Sequence, residues 1–160
     1  MMQFQIISVG GIKEKHLKDG IFEYAKRIQK YAKLEVIEIS ESRLPDNPNE
    51  KQIEKALSEE AKQIIDKIPE QAFVVTLEIE GKQLSSIDFS AFIEKNMTYE
   101  SSKMVFIIGS SFGLSSMIKE KSQFKLSFSL FTFPHQLMRF ILVEQLYRAL
   151  TIMKNTSYHK

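Results

Sequence analysis

Cysteine is absent from the 160 residues, which excludes both a disulfide framework and a thiolate zinc site. Histidine is scarce, and His16, His135 and His159 show none of the spacings that bind metal, so no metal is expected. No apolar run approaches the length of a membrane span, and the start MMQFQIISVGGIKEKH lacks the layout of a secretory signal. The expectation is a cytoplasmic protein with no membrane partner. Phosphate-binding glycine loops are missing as well: no Gly-Lys-Ser/Thr loop and no G-x-G-x-x-G occurs.

What is present is a chain long enough for one domain with a real core, spanning 1–160, and too short for two comfortable ones. The net charge is only +2, but it is unevenly placed. Residues 41–80 carry an excess of acids. Lys119, Lys121, Lys125, Arg139, Arg148, Lys154 and Lys160 outnumber Glu120 and Glu144 in the last quarter of the chain. A basic C-terminal portion suits an anionic partner such as RNA, although a solvated face with scattered lysines would read the same way.

Hydrophobic periodicity places strands at QFQIISV (residues 3–9), KLEVIEIS, AFVVTLEIEG (closed by Gly81), KMVFIIG and FKLSFS. Helices are expected over roughly 14–31, over 49–67, after the N-cap Ser85 with Asp88 three residues on, near 115–121, and at the C-terminal end. The unbroken apolar run of KMVFIIG suggests a strand buried on both faces. Alternating strands and helices imply an α/β fold, a mostly parallel sheet covered on both sides. Ligands in such sheets sit beyond the carboxyl ends of the strands, which singles out Leu77–Gly81, Gly109–Gly113 and Phe128–Pro134.

The last helix is apolar around most of its circumference. Glu144, Gln145, Arg148 and Thr151 share one arc, but Ile141 and Ile152 fall within it. Such a helix must be buried in more than one direction, and a second protomer is the natural cover, so a homodimer is expected. Arg139 projects from the apolar side, where it either snorkels to the helix start or meets a carboxylate or phosphate.

GSSFG (Gly109–Gly113) matches the G-x-S-x-G nucleophile elbow, with Ser111 as nucleophile, His135 as base and Glu120 as the sole acid between them. The chain is short for a serine hydrolase. A glycine-flanked loop that lets a ligand approach the backbone, or a plain tight turn, explains the segment equally well. In FPHQ, Pro134 opens the last helix, and His135 is either a capping or packing residue or a ligand contact.

Taken together, TLEIEGKQLSS, FIIGSSFGL, LSFSLFTFPHQLMRFILVEQLYRA and the terminal YHK resemble the RlmH family of SPOUT-class rRNA methyltransferases, over the whole chain. The resemblance implies an α/β domain whose C-terminal part threads a trefoil knot, a homodimer, and S-adenosylmethionine as cofactor. It implies cofactor contacts at Leu77, Gly109, Phe128, Ser129, Leu130, Phe131, Thr132 and Phe133. It implies catalytic roles for His159, Tyr158 and Arg139, and substrate contacts at His135 and Lys160. The implied reaction is methylation of N3 of pseudouridine 1915 in the large-subunit rRNA of the assembled ribosome. A catalytically silent, RNA-binding homologue is the alternative. Ser110, Leu130, Phe131 and Asn155 depart from the family pattern. Asn155 replaces a glycine before the terminal segment, and asparagine tolerates the left-handed conformation such a turn needs.

Overall fold

The computed structural model describes residues 1–160. Ten elements follow in order: β1 (Gln3–Val9), α1 (Lys15–Ile28), β2 (Lys33–Ile39), α2 (Glu50–Lys67), β3 (Phe73–Gln83), α3 (Ser86–Tyr99), β4 (Lys103–Ile108), α4 (Ser116–Lys121), β5 (Phe124–Ser127) and α5 (His135–Met153). All strand pairings are parallel, in the order β2-β1-β4-β3-β5, so the α/β expectation holds.

The central strand β4 explains why the sheet is covered twice. Met104, Phe106 and Ile108 point to one face and Val105 and Ile107 to the other, all of them essentially inaccessible to solvent. Their period of two sends alternate side chains into two separate cores. One core gathers α1, α3 and α5; the other gathers α2 and α4. Each fully buried Ile or Phe of this kind contributes about 1.5–3 kcal/mol of transfer free energy.

Local signals set the helix starts. Asn49 and Gln52 form a reciprocal capping box for α2, while Ser85 accepts the Asp88 amide at 3.0 Å to open α3. α5 ends in a Schellman motif: the Thr156 amide donates to the Thr151 carbonyl and the Asn155 amide to that of Ile152. Asn155 sits there at φ +53°, as its tolerance of that region led us to expect.

Three expectations change. Gly81 does not close β3, which runs on to Gln83. Instead β3 slips against β5 between Leu77 and Lys82, both of which pair with Leu126, so residues 78–81 bulge out. A Cβ on Gly81 would stand 2.6 Å from the Lys125 carbonyl oxygen, so glycine serves close backbone approach there. β5 stops at Ser127, because Phe128 and Ser129 turn away into a loop. Finally, α5 is covered on both flanks within one chain. It lies between α1 and α3, with Ser90 Oγ donating to the Ala149 carbonyl and Ser86 Oγ to Gln145 Oε1. Two flanks of α5 are thus covered within one chain, while Leu137, Ile141 and Ile152 stay half-buried and belong to neither core.

Candidate functional site

Because the sheet is parallel, the ends of β3, β4 and β5 and the start of α5 meet at one edge, around a cleft of about 590 Å³. All three loops singled out in the sequence contribute to it. Leu77, Gly109, Phe128, Ser129, Phe131, Thr132 and Phe133 line the cleft, as does His135. Leu130 does not; its side chain is 79% exposed and points away.

The GSSFG segment is a tight turn. Ser110 and Gly113 pair as an isolated bridge, and the Gly113 amide donates to the Ser110 carbonyl at 2.9 Å. A Cβ on Gly109 would run into the Gly113 carbonyl, so the loop can return only if residue 109 has no side chain. Gly113 holds φ +86° and meets nothing within 4 Å on its open side. Ser111 does not adopt a positive φ, makes no hydrogen bond to His135, and Glu120 is outside the lining. The strained elbow of a serine hydrolase is therefore not built here.

One wall carries charge. Glu78 is buried at 8% exposure, held by Thr76 Oγ1 donating to Oε2 at 2.6 Å. Its Oε1 is buried without a hydrogen-bond partner; Lys119 Nζ stands 3.5 Å away, an ion pair too long to satisfy that oxygen. The same ammonium lies 3.6 Å from Glu80. The carboxyl of Glu80 titrates below its usual range, through its own backbone amide first and Lys119 second. The sequence reading had Glu78 within the loop Leu77–Gly81 and Lys119 in the basic C-terminal set, but named neither as a site residue. The one available signal was an acid within the buried run FVVTLEIE.

Arg139 is buried on α5, one turn beyond His135. Nη1 donates to Glu38 Oε2 at 2.7 Å and Nη2 to the Gly10 carbonyl at 2.9 Å, leaving Nε unpartnered. The carboxylate alternative is the one realised, and the guanidinium faces the ends of β1 and β2, not the cleft lining. Behind His135, Gly10 at φ +90° would bring a Cβ to 3.0 Å from the imidazole Nε2.

The terminal residues lie elsewhere. Tyr158 Oη donates to Glu144 Oε1 at 3.0 Å and lies 3.1 Å from Tyr24 Oη. Its ring packs edge-on against Tyr147 and beneath the Arg148 guanidinium. Arg148 holds Glu144 at 2.6 Å and donates to His159 Nδ1 at 3.0 Å, while Lys160 is exposed. At 1.5 Å per residue, Glu144 is roughly 14 Å along α5 from His135. Tyr158, His159 and Lys160 therefore do not reach their own chain's cleft.

With this geometry established, relatives can be compared. The family model for predicted SPOUT methyltransferases matches residues 2–159. The chain belongs to the SPOUT methyltransferase family. It is 47% identical over 159 residues to the ribosomal RNA large subunit methyltransferase H of Carboxydothermus hydrogenoformans, spanning 99% of this chain and 100% of that one. The same-named protein of Streptococcus pneumoniae is 46% identical over the same shares. A solved structure of a probable methylase family protein from Haemophilus influenzae Rd KW20 matches with TM-score 0.51 and 13% identity, covering 99% of this chain and 70% of that one, a likeness of fold.

Within this SPOUT chain the cleft suits a sulfonium cofactor. Its volume falls in the usual range for small-molecule sites, about 300–1,000 Å³. Apolar and aromatic walls from Leu77, Phe128 and Phe133 flank the unpartnered Glu78 oxygen and the Lys119 ammonium. An adenosyl group without phosphate needs no phosphate loop, and a zwitterionic amino-acid tail complements a wall of alternating carboxylates and ammonium.

The titration of Tyr158 limits its chemistry. Burial first, then hydrogen bonds with Tyr24 and Glu144, push its phenol far above the usual 10.0. It remains a protonated donor. Arginine only donates, so the Arg148 contact makes His159 Nδ1 the acceptor and leaves the ring proton on Nε2. In this arrangement the Tyr158 proton is committed to Glu144, and His159 presents Nε2–H as a free donor.

Proposed function

We propose that this protein is a homodimeric methyltransferase that uses S-adenosylmethionine to methylate N3 of pseudouridine 1915 in the large-subunit rRNA of the assembled ribosome. In this reading residues 1–160 act as one cytoplasmic domain, with the C-terminal part threaded as a trefoil knot around the cofactor. The supporting observation is the cleft: seven of the eight residues assigned to the cofactor by family resemblance converge on it, beside an unsatisfied buried carboxylate oxygen. Full-length kinship to proteins named for large-subunit rRNA methylation supports the substrate class.

S-adenosylmethionine supplies an electrophilic methyl group on a sulfonium centre. The protein's task is then largely positioning, since an in-line displacement gains most from bringing donor and acceptor to about 3–3.5 Å. Leu77, Gly109 and the 128–133 loop hold the adenosyl end, and Glu78 with Lys119 holds the charged end. The imide N–H of the acceptor must be lost before nitrogen attacks. His159 Nε2–H acts by hydrogen-bonding a carbonyl oxygen of the base, which lowers the imide pKa so that its proton passes to water. Tyr158, whose one proton goes to Glu144, holds the terminal segment in place. Arg139 is tied to Glu38, and through Gly10 and His135 it shapes the wall of the cleft. Lys160 is free to meet phosphate.

Since the terminal rings lie far along α5 from their own cleft, a second copy must deliver them. That requirement supports the dimer. The test is to incubate the protein and cofactor with ribosomes that lack the modification, followed by mass spectrometry of the rRNA. A single methyl on the target nucleoside is expected. Absence of the methyl, together with failure to bind the cofactor calorimetrically at millimolar concentration, favours the silent RNA-binding homologue.

A further inference from the structure

Of the twelve phenylalanines, three are exposed, and two of these rise from the loops that border the cleft: Phe112 at 45% and Phe131 at 77%. Both end the same local pattern, serine–any residue–phenylalanine. The Phe112 amide donates to Ser110 Oγ at 3.3 Å, and the Phe131 amide donates to Ser129 Oγ at 3.0 Å. Ser127 Oγ braces the second loop further by donating to the Ser129 carbonyl at 3.1 Å. Neither ring stacks on another aromatic ring of the chain, whereas Phe4, Phe73, Phe89, Phe92, Phe106, Phe124 and Phe140 all do. Two large apolar rings thus stand in water beside the cleft, on loops that are hydrogen-bonded in place.

We infer that Phe112 and Phe131 form an aromatic clamp at the mouth of the cleft that stacks on the nucleobase receiving the methyl group. The inference rests on the proposed function, because it needs a planar acceptor. Phe131 lines the cleft and Phe112 stands between the lining residues Ser111 and Gly113, so both rings border the way an acceptor takes into it. A base drawn out of an RNA stack loses its neighbours, and aromatic side chains on both sides replace them. Stacking on a π-face accepts any base, so the clamp supplies affinity and orientation while selection falls to hydrogen-bonding groups. Phe131 therefore has two parts: its backbone belongs to the cofactor loop and its ring to the acceptor.

The test uses the full-length protein and a stem-loop RNA carrying 2-aminopurine at the acceptor position, whose fluorescence is quenched by stacking. Phe131→Ala and Phe112→Ala should each lose most of the quenching and raise KM for ribosomes about tenfold, with oligomeric state unchanged. Phe112 lies outside the cleft lining, so Phe112→Ala should also leave cofactor affinity unchanged. Phe131→Trp should restore quenching and KM, and Phe131→Leu should not. The clamp is overturned if leucine serves as well as phenylalanine. It is also overturned if the alanine variants leave quenching intact, or if they change subunit association, or Phe112→Ala changes cofactor affinity, instead. A wild-type protein that quenches 2-aminopurine yet leaves the pseudouridine of unmodified ribosomes without a methyl would sink the proposed function while supporting the clamp.

Discussion

Arg148 donates to His159 Nδ1 across 3.0 Å while the same guanidinium holds Glu144 at 2.6 Å. The third-last and second-last groups of the fold, Tyr158 and His159, are thereby fixed to α5, not left to fray as chain ends usually do. Tyr158 spends its proton on Glu144, while His159 keeps Nε2–H free; in the proposed reaction that leaves His159 as the donor.

In the proposed reaction, His159→Ala removes the donor assigned to the acceptor base. Loss of a preorganised donor of this kind costs about 10²–10³ in kcat. Cofactor affinity should stay at the wild-type value, because the proposed partner of His159 is the acceptor base and not the cofactor. Calorimetry alongside single-turnover methylation checks both parts, and unchanged turnover would remove His159 from the mechanism.

Tyr158 gives a pH signature. Its folded-state titration lies above the ordinary 10.0, so the protonated phenol is favoured by folding. That contribution is fully present below the unfolded value and is lost as pH climbs through the raised folded one. Terminal docking should therefore be insensitive to pH around neutrality and fail only in strong alkali. Spectrophotometric titration should find one of the five tyrosines ionising last, and Tyr158→Phe should abolish that step. Five tyrosines ionising together near the ordinary value would contradict it.

Gly20 lies inside α1, where alanine would normally gain about 1 kcal/mol of helix propensity. Here a Cβ collides with the Phe140 ring on α5. Overpacking costs about 1–3 kcal/mol, so the clash should win by about 1 kcal/mol, lowering Tm by about 2–4 °C. Adding Phe140→Leu to Gly20→Ala should recover the loss. A Gly20→Ala protein that melts higher than wild type would show that α1 and α5 part more easily than described.

Much of the architecture was legible in the sequence, for identifiable reasons. The run MVFII could only be a strand buried on two faces, and Asn155 could take the glycine conformation that ends α5. The three loops at the strand ends followed from the parallel sheet. Other features depend on tertiary partners that periodicity does not name. Gly81 looked like a stop, yet it is the point where a bulge lets β3 pass against Lys125 and continue. The apolar circumference of α5 pointed to a second chain, but α1 and α3 lie on its two flanks. Leu130 shares a loop with six cleft residues and still faces solvent. Glu78 read as an ordinary strand acid, because nothing local reveals that one of its oxygens lacks a partner.

The central claim is that each working site combines the cleft of one chain with the terminal rings of another. Co-expressing Gly109→Ala chains, whose cleft loop cannot close, with His159→Ala chains, whose cleft is intact, tests it most directly. Each variant alone should be inactive. Random pairing makes half of the dimers mixed, and each mixed dimer holds one complete site, so about a quarter of the wild-type rate should return. No recovery in mixed dimers would show that cleft and terminal rings work within a single chain, and would contradict the account.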